Sequence, residues 1–311
     1  MTKLVIAIVN WNTKDLTRDC LKSLKADIEG INNEIWVVDN ASIDGSVEMI
    51  GSEFPGIKII QNSENTGFAR ANNQILRIAK GEYYLLLNTD TIIPKDSIKN
   101  LIRFMDNNPR CMSAAPRLTY ADGTPQPPLK ALPSAWGEFR NCLAYHFFPF
   151  GKYFGAMLSD KIQKPDSDKP IKKEILSAAC LLIRKEVIEK IGILGEEYFL
   201  FSEENDYFTR MRLAGFESYY LPFIDVIHLI GKSRNKRGNV DTEINFLKSR
   251  MLYYNKFYPN KIFFLKIIYG FFFCWSYIMA GLSKLIKGKK ESDYQRLYIE
   301  LLRFIKSYKT K

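Results

Sequence analysis

Leu85-Leu86-Leu87-Asn88-Thr89-Asp90-Thr91 is an apolar run that stops at a carboxylate. An Asp at the end of a buried strand, with short polar neighbours and no adjacent Lys, can hold a divalent cation that in turn holds a diphosphate. It can equally cap the next helix. A second set of chemical groups lies at Glu196, Glu197, Glu203, Glu204 and Asp206, carboxylates in an otherwise apolar segment with Tyr198, Phe199 and Phe201. Glu203 and Glu204 suit a helix N-terminus through the dipole; projecting into a cleft beside aromatic rings, either could act as a general base. Asp206 and Arg210 are one helical turn apart and are expected to pair, positioning rather than reacting. His228, one of only two histidines, precedes Gly231-Lys232-Ser233. It is either a core histidine with a satisfied hydrogen bond or a cation ligand near phosphates.

The elements that must position these groups repeat. Leu4–Val9 is an apolar, β-branched run ending in Asn10-Trp11-Asn12; Glu34–Asp39 ends in Asp39-Asn40-Ala41-Ser42; 57–60 is a third strand; the Leu85 stretch is a fourth. Helical segments are expected over 15–26, after Asp44-Gly45-Ser46, and from Asn65-Thr66-Gly67-Phe68 through Asn73 to Ala79. Strand, polar turn and helix in repetition predict a parallel sheet with right-handed crossovers. Three of the four strands end in Asn or Asp, at the edge where ligands sit in open α/β sheets. Further on, the pattern predicts a helix over 94–107, strands over 112–119 and 175–183, a helix over 184–191, another from the Glu203 region to Ala214, and short strands at 219–221 and 226–228. Over 125–170, prolines interleave with Trp136, Phe139, Tyr145, Phe147, Phe148, Phe150, Tyr153 and Phe154. That stretch is expected to be an irregular loop contacting an acceptor.

The chain's 311 residues, 46% apolar and 25% charged, can bury one large core or two modest ones. Five scattered cysteines suggest neither a disulfide framework nor a zinc site, and fit a reducing compartment. The first residues run straight into a strand, so no signal peptide is expected. Residues 236–311 hold 16 Lys and Arg against 5 Asp and Glu, which equals the whole net charge of +11. A basic tail of this kind suits nucleic acid or an anionic membrane. Within it, 262–283 carries one charge, Lys266, and is flanked by lysines on both sides. It is short for a span and lacks a one-sided charge bias, so a helix or helical hairpin lying in the leaflet is expected; a buried helix is the alternative. A final amphipathic helix is expected over 291–309.

Taken in order, Asn10-Trp11-Asn12, Val38-Asp39-Asn40-Ala41-Ser42 with Asp44-Gly45-Ser46, Asn65-x-Gly67-Phe68 with Asn73, Leu87-Asn88-Thr89-Asp90, Glu203-Glu204-x-Asp206 with Arg210 and Gly215, and His228-x-x-Gly231-x-Ser233 resemble family 2 glycosyltransferases of the GT-A fold, in the bacterial rhamnosyltransferase-like branch. The resemblance implies an α/β fold with a mixed, mostly parallel sheet and flanking helices in a catalytic domain over 1–235, followed by a basic helical, membrane-associating region over 236–311. It implies inverting transfer from a nucleoside diphosphate sugar, dTDP-rhamnose or a UDP-sugar, to a lipid-linked or polymeric glycan acceptor. Asp39 corresponds to the base-recognising residue, with Asn10 and Trp11 beside it. Asn65, Gly67, Asn73, Asn88, Thr89 and Asp90 fall on the donor side. The family's Asp-x-Asp metal motif begins here with Asn88, so Asp90 and His228 would share Mg²⁺ or Mn²⁺ with the donor phosphates. Glu204 corresponds to the catalytic base, with Glu203 as its rival and Asp206 and Arg210 as positioning residues. The partners implied are the donor, the acceptor and an anionic membrane surface on the cytoplasmic side, without nucleic acid; a homo-oligomer is compatible with this. The alternatives are a polyprenyl-phosphate sugar synthase, and a non-catalytic protein binding a sugar nucleotide or nucleic acid.

Overall fold

Leu4, Ile6 and Ile8 pack into one hydrophobic cluster while Val5 and Ala7 pack into another, so β1 (Thr2–Asn10) is buried on both faces. The computed structural model describes residues 2–127, 131–146, 169–229, 240–287 and 293–308. They fall into two units, Met1–Leu132 with Pro165–Asn235, and Pro133–Lys164 with Lys236–Lys311.

In the first unit β1 is followed by α1 (Lys14–Asp27), β2 (Asn33–Asp39), α2 (Ser46–Glu53), β3 (Lys58–Gln61), α3 (Phe68–Ile78), β4 (Gly81–Asn88), β5 (Thr91–Ile92), α4 (Ser97–Asn107) and β6 (Cys111–Thr119). The chain leaves for the second unit through α5 (Ala135–His146). It returns with β7 (Ile171–Lys172), β8 (Cys180–Arg184), α6 (Lys185–Ile191), α7 (Glu203–Leu213) and β9 (Glu217–His228). The sheet order is β3-β2-β1-β4-β8-β6-β9-β5, with β7 on β9. The long ladders β1·β2, β1·β4 and β6·β9 are parallel, and β8 runs antiparallel between β4 and β6. Tyr83, Leu85 and Leu87 of β4 face α1, α2 and α4, while Tyr84 and Leu86 face α3, α6 and α7. Burial on both faces is why these strands read as unbroken apolar runs.

Strand order reverses direction at β1, whose neighbours are β2 on one side and β4 on the other. Such a switch point parts the loops that leave the carboxyl ends of the two central strands and opens a crevice between them. In register, Asn10 pairs with Asp39, and Val9 with Asn88. The polar strand ends are therefore level along one edge.

Three expectations need correction. Residues 175–179 are not strand: β8 begins at Cys180 and the small residues before it form a turn. The two short strands at 219–221 and 226–228 are one strand, β9, because Pro222 falls where the register jumps from Pro116↔Leu221 to Arg117↔Asp225. At such a bulge a proline's missing N–H costs no ladder bond. The stretch read as an irregular acceptor loop carries α5 in its described part. In the C-terminal region the apolar stretch is a single helix, the first of the two forms expected for it.

The second unit contains α5, α8 (Val240–Phe257), a 3₁₀ turn at Pro259–Lys261, α9 (Ile262–Lys287) and α10 (Asp293–Ser307). Glu138 of α5 is buried, accepting a hydrogen bond from Tyr269 Oη at 2.8 Å and lying 3.4 Å from Arg250 Nε. Phe139 meets Phe272 edge-on. These contacts fasten α5 to α8 and α9. One face of α9 (Ile262, Leu265, Ile268, Tyr269, Phe272, Ser276) is buried, and the opposite face exposes Phe263, Ile267, Phe271, Ile278 and Leu282. Among the described residues, Pro259–Leu282 is the one stretch long and apolar enough to cross a membrane. Phe147, Phe148, Phe150, Tyr153, Phe154, Gly231, Lys232, Ser233, Lys289 and Lys290 lie outside the described residues.

Candidate active site

At the end of β1, Asn10 is fully buried and donates through Nδ2 to Asp39 Oδ2 at 2.7 Å and to Ser42 Oγ at 3.0 Å. The other oxygen of Asp39 accepts from the Ser42 backbone N–H at 2.8 Å. Both carboxylate oxygens are thus held in place before any ligand arrives. Trp11 stands beside them, 55% exposed. The Thr13 hydroxyl lies 2.7 Å from Asn10 Oδ1 and 3.0 Å from Thr89 Oγ1, which joins the loops after β1 and β4 across the switch point.

Asp90 and Thr89 follow β4 and are mostly buried. β5 pairs with the end of β9, setting Thr91 opposite His228, and Leu229 N–H donates to Asp90 O at 2.8 Å. His228 Nε2 is consequently 3.2 Å from Asp90 Oδ1, although the two residues are far apart in sequence. On the other side of the ring, Nδ1 is 3.1 Å from Gln126 Oε1. Bonds of about 2.1 Å at right angles put neighbouring ligands of an octahedral cation about 3 Å apart, so the carboxylate and imidazole fit a small divalent ion. Among the described residues no cluster of three or more His, Cys, Asp or Glu side chains could hold a metal. Two protein donors would therefore leave most of the shell to diphosphate oxygens and water.

The turn before β8 links this loop to Glu204. Asn88 N–H donates to Ala179 O at 3.0 Å, and Ala178 N–H donates to Glu204 Oε1 at 2.6 Å. Glu203 and Glu204 open α7, and Glu203 is the more buried of the two. Asp206, fully buried, pairs with Arg210 Nε at 2.7 Å, and the same guanidinium donates to Ile191 O and Ile193 O. That pair fixes the loop between α6 and α7.

Asn65 Oδ1 accepts from Gly67 N–H at 3.0 Å and from Asn40 Nδ2. Gly67 has φ +83, and a Cβ there would come within 2.3 Å of Phe199 O, so only glycine lets α3 start this close to the 192–202 loop. Asn73 is completely buried: Nδ2 donates to Leu194 O and Glu196 Oε1, and Oδ1 accepts from Leu194 N–H. Its amide hydrogens are spent on that loop, which it clamps to α3. Burial works against the Glu196 charge, but hydrogen bonds from Asn73 and Arg77 outweigh it and hold the carboxyl below its usual range.

Of the five non-glycine residues with positive φ among the described residues, Asn12, Ala41, Phe201 and Ser202 lie in the loops bearing these groups. Each costs on the order of 1–3 kcal/mol, strain that collects where loops are shaped for function. Cys20 sits beneath Asn88 O and Thr91, and burial pushes its thiol up to about 12, so it is no nucleophile.

Sequence reasoning missed Gln126 and the Ala178 amide. Backbone amides leave no trace in residue type, and Gln126 is 102 positions from the histidine it touches.

Residues 5–192 match the family model of glycosyl transferase family 2. The N-acetylglucosaminyl-diphospho-decaprenol L-rhamnosyltransferase of Mycobacterium tuberculosis is 24% identical over 205 residues, covering 62% of this chain and 66% of that protein. The dTDP-rhamnosyl transferase RfbF of Shigella flexneri is 23% identical over 228 residues, covering 72% of this chain and 69% of that one. The chain thus spans about two thirds of the length of these relatives. Among solved structures, the mannosyltransferase PcManGT from Pyrobaculum calidifontis, in complex with GDP-Man and Mn²⁺, superposes with a TM-score of 0.52 at 14% identity, covering 97% of this chain and 69% of that one. The level strand ends at a switch point, the loops that converge there and the extent of the family match agree: the chain belongs to glycosyl transferase family 2 and has the GT-A fold.

Proposed function

We propose that this chain transfers a sugar from a nucleoside diphosphate donor to a hydroxyl of a lipid-linked or polymeric glycan, with inversion at the anomeric carbon. One observation carries the reading: two hydrogen bonds through the 177–179 turn tie the Asp90 loop to Glu204, while His228 lies against Asp90. Displacement at an anomeric carbon needs a base on the acceptor side and charge neutralisation on the leaving-group side. Asp39, with Asn10 and Trp11, recognises the base of the nucleotide. Asn65, Gly67, Asn88 and Thr89 shape the donor side, and Asn73 supports it through the Leu194 loop. Asp90 and His228 hold Mg²⁺ or Mn²⁺, which when bound neutralises the diphosphate as it leaves. Glu204 takes the acceptor proton while the new C–O bond forms and the bond to the diphosphate breaks, so no glycosyl-enzyme bond is formed. That separates it from retaining glycosidase chemistry. Asp206 and Arg210 keep the start of α7 in place.

The names of the relatives make dTDP-rhamnose the first donor to test. Incubating the purified chain with Mn²⁺ and a panel of dTDP-, UDP- and GDP-sugars should release nucleoside diphosphate from one base class, faster with a lipid-diphosphate saccharide present. The anomeric configuration of the product, read by NMR, should be inverted. No turnover of any donor, together with salt-sensitive RNA binding, would sink the proposal.

We infer further that the C-terminal unit rests on an anionic membrane surface, on the cytoplasmic side. An apolar stripe exposed along one face of α9, whose other face is buried, suits an interfacial helix with lysines on anionic head groups. Vesicles containing phosphatidylglycerol should pellet the protein, and the triple change Phe263→Ser, Ile267→Ser, Phe271→Ser should release it. Unchanged pelleting of that folded variant would rule out this face.

A further inference from the structure

Gln126 stands between Pro125 and Pro127, and its own N–H donates to Leu118 O at 2.8 Å. The segment bridges back to Thr119 through Pro125, which holds the Gln126 side chain, 5% exposed, against the end of β9. Its Nε2 donates to Thr119 O at 3.0 Å and to His228 O at 2.6 Å. Both partners are carbonyl oxygens and cannot donate. Exchanging the amide oxygen and nitrogen would face oxygen with two oxygens, so the amide has one satisfactory orientation. Oε1 then faces His228 Nδ1 and can only accept, which requires the hydrogen to be on Nδ1. In the neutral ring the lone pair is left on Nε2, the atom 3.2 Å from Asp90 Oδ1.

We propose that Gln126 is a positioning residue that fixes His228 as its Nδ1–H tautomer, so that Nε2 is offered beside Asp90 as a ligand for the divalent cation of the diphosphate site. This rests on the cation reading of Asp90 and His228. The competing tautomer would carry its hydrogen on Nε2 and donate it to Asp90, a good hydrogen bond that would occupy both ligands at once. Gln126 opposes that outcome, because a hydrogen on Nε2 leaves Nδ1 and Oε1 as two acceptors in contact. The main chain of His228 cannot move away to relieve them: it is paired with Thr91, and Leu229 is bonded to Asp90 O. Partners of this kind on the second ring nitrogen fix the orientation of metal-binding histidines and raise their basicity.

The chain has two histidines, so nitrogen-15 labelling gives two imidazoles, assigned with His146→Gln. At about pH 8.5, above the ordinary imidazole range, long-range proton–nitrogen correlation should report Nδ1–H for His228 in the full chain. An Nε2–H signature there would overturn the proposal without any variant. Gln126→Met should shift the ring towards Nε2–H and weaken Mn²⁺ binding, titrated with dTDP present, by about 10- to 100-fold. Gln126→Glu restores an acceptor for Nδ1–H but not the two donated bonds. It should keep the tautomer and most of the Mn²⁺ affinity, whereas a purely structural role makes Glu at least as damaging as Met. A folded Gln126→Met protein with wild-type Mn²⁺ affinity would also refute the proposal. Paramagnetic broadening of the His228 signals by Mn²⁺ tests the cation reading separately: broadening with an Nε2–H ring defeats only the role of Gln126, and an Nδ1–H ring without broadening defeats the cation reading.

Discussion

Glu204→Gln is expected to lower kcat by about 10²- to 10⁴-fold, the usual worth of a positioned general base, while donor affinity changes little. The substitution is chosen because Gln keeps an oxygen to accept the 2.6 Å hydrogen bond from Ala178 N–H. The link between the 177–179 turn and α7 should survive, and the lost quantity is the ability to take a proton. Glu203→Gln is the paired control: Glu203 is the more buried neighbour at the start of the same helix, and its rate should stay within several-fold of wild type. Steady-state kinetics with saturating donor separate the two effects, since loss of a transition-state interaction alone lowers kcat and kcat/KM together. A collapse in Glu203→Gln with near-normal Glu204→Gln would exchange the two roles. Equal small effects would remove both from the chemistry.

What could be read from the sequence followed from how strongly each segment's residues constrain it. The polar ends of β1, β2 and β4 stood out because strands buried on both faces are apolar without interruption, so Asn10, Asp39 and Asn88 mark where the apolar runs stop. The Asp206–Arg210 spacing carries its own geometry, one turn of helix. Residues 175–179 misled because small side chains suit a strand and a tight turn alike. Here they form the turn whose backbone serves Asn88 and Glu204. Pro222 misled in the opposite direction, splitting β9 on paper where the sheet simply bulges. The helix α5 was hidden by the prolines before it and by apolar residues spread around its circumference. Asn73 was read by motif as a donor-side residue, yet its partners Leu194 and Glu196 lie 121 and 123 positions away. Partners at that distance leave no local pattern.

Asp90→Asn should remove most of the transfer activity, by several kcal/mol of leaving-group stabilisation or at least about 10²-fold in rate. Unlike Glu204→Gln, it should also weaken nucleotide binding. The reason is the short donor set: with Asn88 standing where the family motif has a carboxylate, Asp90 supplies the negative charge that lies against the ring of His228. Asn keeps the size of the side chain and leaves the Leu229 N–H to Asp90 O backbone bond available, so the β5·β9 pairing should hold and the loss be one of charge. Wild-type protein treated with EDTA should fall to the level of the variant and recover with added Mn²⁺, while the variant gains little from the metal. Calorimetric titration with dTDP should show the same contrast, with tight binding to wild type only when Mn²⁺ is present. If chelation left the wild-type rate intact, neutralisation of the diphosphate would have to come from basic side chains, and Asp90 with His228 would be a buried hydrogen-bonded pair shaping the loop. The variant alone could not separate those readings, because either role depends on the carboxylate; the chelated wild type can, because it keeps every side chain and removes only the cation.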